Sequence, residues 1–187
     1  MKRLKEILFL VFGTLLFIAS YKFDGAVNQF FKNIKFPLLD SVLSVITSFA
    51  VVIAVMLVIP LFLLYKDKRK MSLLIWAFII SVVLAFIIKL LVLRQRPAEI
   101  LYYPLFNIIN YSFPSMHAMV VFSLLPILME YLPKQKNFWV LFAFIVSFTR
   151  IYFGFHFLSD VVFGAFLGYF VGSYLLSLNR KKKLWFK

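Results

Sequence analysis

The chain has 187 residues, of which 64% are hydrophobic, 20% aromatic and 15% charged. Soluble domains are about 45–50% apolar and about 25% charged, so this composition excludes a soluble enzyme and a disordered tail. The chain has no cysteine, which excludes disulfides and thiolate metal centres. With a mean hydropathy of +0.97, the composition predicts a polytopic membrane protein.

Six apolar stretches approach the length of about 20 residues that a membrane-spanning helix needs. In chain order, the predicted spans are Ile7–Ser20, Ser44–Tyr65, Met71–Leu93, Ala118–Leu132, Phe138–Tyr152 and Phe157–Leu178. Lipid tolerates only helices or closed barrels, and these runs are too long for barrel strands. We therefore expect an all-α, six-transmembrane-helix bundle. The spans use nearly the whole sequence, so residues 1–187 are expected to form a single integral-membrane domain.

The first span has an alternative interpretation. A basic N-terminus, an apolar run and the small residues Ala19 and Ser20 are also typical of a signal peptide. We favour a retained helix, and both interpretations orient the rest of the chain in the same way.

Lysine and arginine are distributed unevenly between the predicted loops. If the N-terminus is cytoplasmic, residues 2–5, 66–70, 134–136 and 180–187 place 14 basic residues inside, against 5 in the outer segments. This positive-inside bias predicts that both termini are cytoplasmic. The formal net charge of +14 then indicates topology and contact with anionic lipid, and nucleic-acid binding is not expected.

The first outer segment has a helical pattern. Its apolar residues recur at i, i+3, i+4 and i+7, namely Val27, Phe30, Phe31 and Ile34. The pattern is typical of a short interfacial helix lying on the membrane, and an ordinary loop packed on the bundle is the alternative.

The second outer segment, Ala98–Phe113, is unusually apolar for a loop, with Glu99 as its only charged residue. Such a loop is expected to touch lipid or a lipid substrate. Its residues Tyr102, Tyr103 and Phe106 are predicted contacts of the substrate lipid.

Three polar clusters lie at the predicted outer ends of spans three to six. They are Lys89–Pro97, Pro114–His117 and Thr149–Asp160, and they include both histidines of the chain. Ionisable residues in or beside membrane helices are costly and mark functional sites. Because the clusters lie at one depth, we expect them to form one site.

The spacing within the clusters predicts local geometry. Lys89 and Arg96 are two helical turns apart and would share a helix face if the third helix continued to Pro97. His156 and Asp160, four residues apart, would be neighbours at the start of the sixth helix. The carboxylate could then accept the Nδ1–H of the imidazole and leave Nε2 free as a nucleophile.

The second cluster is predicted to open the fourth helix. The first backbone N–H groups of a helix have no intrahelical partner and form a site for anions. Together with three cations, two histidines and a carboxylate, these amides indicate a phosphate-transfer site.

A purely structural interpretation is the alternative. Basic side chains at helix ends often extend to the lipid headgroups, and this is expected for Lys22, Lys35 and Arg94. In that interpretation Asp160 would be a structural partner of Arg150.

The three clusters resemble the three-part signature of the type 2 phosphatidic acid phosphatase family, K-x6-R-P, P-S-G-H and S-R-x5-H-x3-D. Here the first part runs from Lys89 to Pro97, and the order and spacing of all three parts match. Two positions depart from the signature, since Met116 replaces a glycine and Thr149 replaces a serine.

The resemblance implies a role for each residue. His156 would attack phosphorus and form a phosphohistidine, Asp160 would orient His156, and His117 would protonate the leaving oxygen. The implied phosphate-binding residues are Lys89, Arg96, Ser115, Met116 and Arg150. The resemblance implies no metal and no other cofactor, because the cations would neutralise the phosphate.

The implied function is a metal-independent lipid phosphatase of a bacterial-type inner membrane, with its active site at the periplasmic face. Lipid A 1-phosphate is the first expectation for the substrate, and undecaprenyl pyrophosphate, phosphatidylglycerophosphate and phosphatidic acid are alternatives. Phosphotransfer between lipids is an alternative reaction. A transporter or a non-catalytic anion-binding protein is an alternative outside catalysis. A phosphorylated membrane lipid and the bilayer are the expected partners, with no obligate protein partner.

Overall fold

The computed structural model describes residues 2–34, 36–97 and 110–180 and, from residue 7 onward, their side chains. Within these ranges the chain is all-α, as predicted, and forms seven helices. They are α1 (Lys2–Lys32), α2 (Pro37–Ile46), α3 (Phe49–Leu63), α4 (Lys68–Val92), α5 (Met116–Tyr131), α6 (Lys136–Tyr152) and α7 (Leu158–Arg180). One turn of 3-10 helix, Pro133–Gln135, joins α5 to α6.

The length and the apolar composition of several helices identify an integral membrane protein. In the described ranges three helical segments are long and apolar enough to cross a membrane, Ile7–Lys32, Lys68–Val92 and Leu158–Arg180. The pair α2 and α3 makes a fourth candidate if it counts as one bent span. With 16 and 17 residues, α5 and α6 are about 24–26 Å long, shorter than the about 30 Å of a hydrocarbon core. The count of six spans therefore stays a prediction.

Helix α5 is the centre of the bundle. Every residue from Ala118 to Leu128 is buried except Phe122, which is half-buried. A helix that is apolar on all sides is surrounded either by lipid or by other helices, and here α5 contacts α3, α4, α6 and α7. Its first turn carries the second polar cluster, so the burial of α5 fixes this cluster relative to the neighbouring helices.

The contact between α5 and α7 is the most extensive between two helices in the described part of the chain. Glycine occupies every fourth position on the contact face of α7: Gly164, Gly168 and Gly172. A Cβ atom on Gly168 would lie 2.2 Å from the carbonyl oxygen of Met119, and one on Gly172 would lie 2.0 Å from that of Ser123. Small residues at this spacing let the backbones of membrane helices touch. The start of α7 is thereby held against the start of α5.

Two predictions for the N-terminal region are wrong. Helix α1 does not end near Ser20 but continues to Lys32, so Val27 and Phe31 belong neither to a separate interfacial helix nor to a loop. Both side chains pack against a buried cluster that includes Ile151 and Val161. No proline interrupts this part of the chain, and contacts with the bundle favour one continuous helix.

The second predicted span, Ser44–Tyr65, is broken near its start. Helix α2 ends at Ile46, Thr47 and Ser48 leave the helical conformation, and the axis of α3 is bent by 47° from that of α2. Further along, α3 contains a π-helical turn, Ala54–Val58, which ends two residues before Pro60. Proline has no N–H to donate to the preceding turn, which accounts for this local change.

Substituting Gly172 with alanine is expected to destabilise the protein, because the new Cβ atom would overlap a backbone oxygen of α5. Overpacking of this kind costs about 1–3 kcal/mol. The same substitution at Gly25 is the matched control, because a Cβ atom there meets nothing within 4 Å and alanine is favoured in a helix. Thermal unfolding in detergent should show a lower Tm for Gly172→Ala alone. Equal Tm values for the two variants would contradict the proposed backbone contact.

Candidate active site

The described residues of all three polar clusters lie at one end of the bundle. This end comprises the last residues of α1, α4 and α6 and the first residues of α5 and α7. The predicted lipid contacts Tyr102, Tyr103 and Phe106, and also Lys35, lie outside the described residues.

The second and third clusters are joined at the start of α5. Ser115 is the N-cap of this helix, and its Oγ accepts a hydrogen bond of 3.5 Å from the Ala118 N–H. The backbone N–H of Ser115 donates to the carbonyl oxygen of Asp160 over 3.1 Å. Met116 and His117 follow in the first turn and are half-buried. The predicted anion site at this helix start is therefore adjacent to the start of α7.

Arg150 lies beside His117. Its guanidinium nitrogen Nη1 is 3.4 Å from Nε2 of His117, and the side chain is only 5% exposed. It donates hydrogen bonds to the hydroxyls of Thr149 and Thr47. The ring of Phe49 packs edge-to-face against His117 at a centroid distance of 4.9 Å. Thr47 and Phe49 flank the break between α2 and α3, so this break brings two unpredicted side chains to the site.

Lys89 and Arg96 reach the site separately. Helix α4 ends at Val92, and Leu93 turns the chain with a φ of 52°. Because the helix ends before Arg96, the condition under which Lys89 and Arg96 would share one helix face is not met. Lys89 is 1% exposed and donates to the carbonyl oxygen of Tyr111. Arg96 donates to the carbonyl oxygens of Asn110 and Phe155, over 3.1 and 2.8 Å.

His156 precedes α7 and does not share its first turn. Its Nδ1 lies 3.7 Å from Oδ2 of Asp160, which is longer than a hydrogen bond. Oδ2 instead accepts the backbone N–H of Phe157 over 2.8 Å. The predicted direct hydrogen bond from His156 to Asp160 is absent. In the described part of the chain, Nδ1 of His156 is buried without a hydrogen-bond partner.

The surroundings of His156 favour its neutral form. Burial lowers the pKa of His156 well below its usual value, and the positive charges of Arg96, Lys89 and Arg150 act in the same direction. The backbone of Ser112 acts in the opposite direction. A neutral imidazole keeps a lone pair on one ring nitrogen, which a nucleophile requires.

Asp160 is paired with Arg94, which was expected to extend to the lipid headgroups. Arg94 donates to Oδ1 of Asp160 over 2.8 Å and to Oδ2 of Asp24 over 2.7 Å. The expectation that Arg94 extends to the headgroups is therefore wrong, and so is the alternative pairing of Asp160 with Arg150. Asp24 was not predicted at all. Its signal is an acidic residue within a largely apolar helix, the same criterion that marked the three clusters.

The described residues contain no group of three or more histidine, aspartate or glutamate side chains that could hold a metal ion. The absence of a cofactor remains a prediction.

An apolar cavity of about 500 Å³ lies between α1, α6 and α7, and its lining includes Phe9, Leu16, Phe144 and Tyr169. The polar residues of the site do not belong to its described lining. This cavity is therefore separate from the chemistry.

Two solved structures share the fold. The transmembrane PAP2 type phosphatidylglycerolphosphate phosphatase from Bacillus subtilis aligns with a TM-score of 0.74 and 22% identity, over 96% of this chain and 98% of that one. Aquifex aeolicus LpxE aligns with a TM-score of 0.64 and 28% identity, over 82% of this chain and 94% of that one.

A relative also matches in sequence. The undecaprenyl-diphosphatase of Sulfolobus acidocaldarius is 32% identical over 126 residues, which are 59% of this chain and 56% of that protein. This chain thus spans little more than half the length of that relative.

The sequence profile of the PAP2 superfamily matches residues 70–184. This range is more than half of the chain and includes all three polar clusters, whereas Asp24 and Thr47 lie outside it. The chain belongs to the PAP2 superfamily.

Proposed function

We propose that this protein is a membrane lipid phosphatase that works through a phosphohistidine on His156. The observation that carries the proposal is the grouping of two histidines with arginine and lysine side chains at one end of a membrane helix bundle. Nε2 of His117 lies 3.4 Å from the guanidinium of Arg150, so the proposed acid–base residue is next to a proposed phosphate-binding cation. A buried imidazole, His156, lies in the field of the same cations.

The proposed reaction has two steps. Nε2 of His156 attacks phosphorus in line, the bond to the leaving oxygen breaks, and His117 donates a proton to that oxygen. Water, deprotonated by His117, then attacks the phosphohistidine and releases inorganic phosphate and the free imidazole. Arg150, Arg96 and Lys89 stabilise the equatorial oxygens in both steps, as cations do in other phosphoryl transfers. Ser115 and the first amides of α5, including that of Met116, complete the phosphate site.

Undecaprenyl pyrophosphate is the proposed substrate. The relative from Sulfolobus acidocaldarius, at 32% identity, supports it over lipid A 1-phosphate, the first expectation from sequence. The fold shared with the Bacillus subtilis enzyme keeps phosphatidylglycerophosphate as an alternative. Cleavage of a pyrophosphate also has the better leaving group. The departing oxygen belongs to a second phosphate, whereas cleavage of a phosphate monoester expels an alcohol.

The proposed topology has six spans, cytoplasmic termini and the active site at the periplasmic face of a bacterial-type inner membrane. The predicted cytoplasmic segments hold 14 basic residues and the outer segments 5, and this bias supports the orientation. The substrate would therefore be a lipid of the outer leaflet.

Replacing either His156 or His117 with alanine is expected to abolish phosphate release, because one variant lacks the nucleophile and the other lacks the proton donor. Release by the wild-type protein is expected to persist in a chelator, since cationic side chains neutralise the phosphate. The measurement is phosphate release from undecaprenyl pyrophosphate in detergent, with Tm as the test of folding. Asn179→Ala is the control, since Asn179 hydrogen-bonds Tyr131 at the opposite end of the bundle. Substantial turnover by a folded histidine variant would refute the assigned roles.

A panel of four lipids tests the substrate. Undecaprenyl pyrophosphate is expected to give the highest kcat/KM, ahead of lipid A, phosphatidylglycerophosphate and phosphatidic acid. A preference for any other member would reject the substrate and retain the chemistry. Transfer of labelled phosphate to a second lipid, without release, would instead indicate a phosphotransferase.

The topology can be tested by labelling, because these 187 residues include no cysteine to interfere. Asn33 lies at the site end of α1, whereas Lys66 lies between α3 and α4, and both side chains are exposed. In intact cells, Asn33→Cys is expected to react with a membrane-impermeant maleimide and Lys66→Cys only after permeabilisation. The reverse pattern would place the site in the cytoplasm.

A further inference from the structure

Asp24 is an acidic residue of α1 that contacts none of the residues in the proposed mechanism directly. Its side chain is 5% exposed and accepts hydrogen bonds from three donors. Oδ1 accepts the backbone N–H of Ser159 over 2.8 Å, and Oδ2 accepts both the Ser159 hydroxyl and Nη2 of Arg94. A buried carboxylate is stable only with such partners.

Arg94 connects this carboxylate to a second one. Nη2 of Arg94 donates to Oδ2 of Asp24 over 2.7 Å. Nη1 donates to Oδ1 of Asp160 over 2.8 Å and to the hydroxyl of Ser159 over 2.7 Å. The ring of Phe157 packs against the guanidinium at 4.0 Å. A planar guanidinium with both ends bound has little freedom to rotate, so the position of Asp24 determines where Arg94 presents its charge to Asp160.

The orientation of the Asp160 carboxylate then determines how its Oδ2 atom faces the imidazole of His156. Arg94 holds Oδ1, the Phe157 N–H holds Oδ2, and Oδ2 remains 3.7 Å from Nδ1 of the imidazole. Hydrogen bonds of a catalytic group are often long before substrate binds and shorten in the reacting complex. A small displacement of Asp160 would therefore decide whether His156 is held in line for attack.

We propose that Asp24 is a positioning residue, which acts through Arg94 on the carboxylate of Asp160 and so on the orientation of His156. This inference rests on the proposed function, because it assigns Asp24 a part in the reaction of that site. A carboxylate that only tied α1 to α7 would affect stability and leave the chemical step unchanged.

A double-mutant cycle tests the connection through Arg94. Asp24→Asn keeps the size of the side chain but replaces the carboxylate that binds the guanidinium with a neutral amide. This variant is expected to lower kcat about 10-fold or more, with little change in KM. Arg94→Gln is expected to lower kcat as well. Because both act along one path, the double variant should be no worse than Arg94→Gln alone. Full kcat in Asp24→Asn, or losses that simply multiply, would overturn the proposal.

Asp40→Asn is the matched control. Asp40 also accepts an interhelical hydrogen bond, from the hydroxyl of Tyr152, but has no contact with Arg94 or Asp160. Its variant is expected to lower the Tm and to keep the wild-type kcat. A similar fall in kcat in both variants would assign the effect to general loosening of the bundle.

A second measurement does not depend on activity. The natural chain has two histidines, so ¹⁵N-histidine labelling without a histidine tag gives two sets of ring signals, assigned with His117→Ala. Asp24→Asn is expected to shift the His156 signals, and Asp40→Asn to leave them in place. Unchanged His156 signals in Asp24→Asn would overturn the proposal, even if the wild-type protein released no phosphate and the proposed function had failed.

If Asp24→Asn does not fold, Arg94→Lys decides the question. Lysine keeps the charge but cannot donate to both carboxylates in the same geometry. The same loss of kcat and the same shift of the His156 signals are expected, and wild-type values for both would overturn the proposal.

Discussion

The direct backbone contact between α5 and α7 is the constraint on which the site depends. Between membrane helices there is no hydrophobic driving force, so association depends on close packing and hydrogen bonds. Gly164, Gly168 and Gly172 permit that packing, since any side chain there would overlap the backbone of α5. The contact continues into the site, where the Ser115 N–H donates to the Asp160 carbonyl. The start of α5, with His117, is thereby held beside His156 and the start of α7.

The charges at this end of the bundle divide into two groups. Arg94 is neutralised by Asp24 and Asp160, and this group joins α1 to α7. Lys89 and Arg150 instead donate to carbonyl and hydroxyl oxygens, and neither belongs to an ion pair among the residues that the structure describes. Buried charge without an opposite charge is costly, and a bound phosphate would relieve that cost. The division explains how one small site can hold a carboxylate and still attract an anionic substrate.

The bounds of α4 to α7 were predicted to within a few residues, because long apolar runs between polar segments leave little choice of boundary. The errors fall where tertiary contacts decide. Helix α1 continues to Lys32 because Val27 and Phe31 find partners on the bundle. The break at Thr47 appears where that residue accepts a hydrogen bond from Arg150. Because α4 ends at Val92, Arg94 and Arg96 are not bound to one helical face. Arg94 contacts Asp160, and Arg96 contacts the carbonyl oxygen of Phe155.

The sequence by itself determined the chemistry that is available here, since residue types and their spacing in the three clusters indicate phosphate transfer without knowledge of any distance. It also determined the all-α membrane architecture, because only helices satisfy the backbone in so apolar a chain. Only the tertiary structure decided which acid pairs with which base. Asp24 and Arg94 are separated by 70 residues, and Arg94 and Asp160 by 66. Ion pairs form between groups that are close in space, and closeness between distant segments arises only when the helices pack.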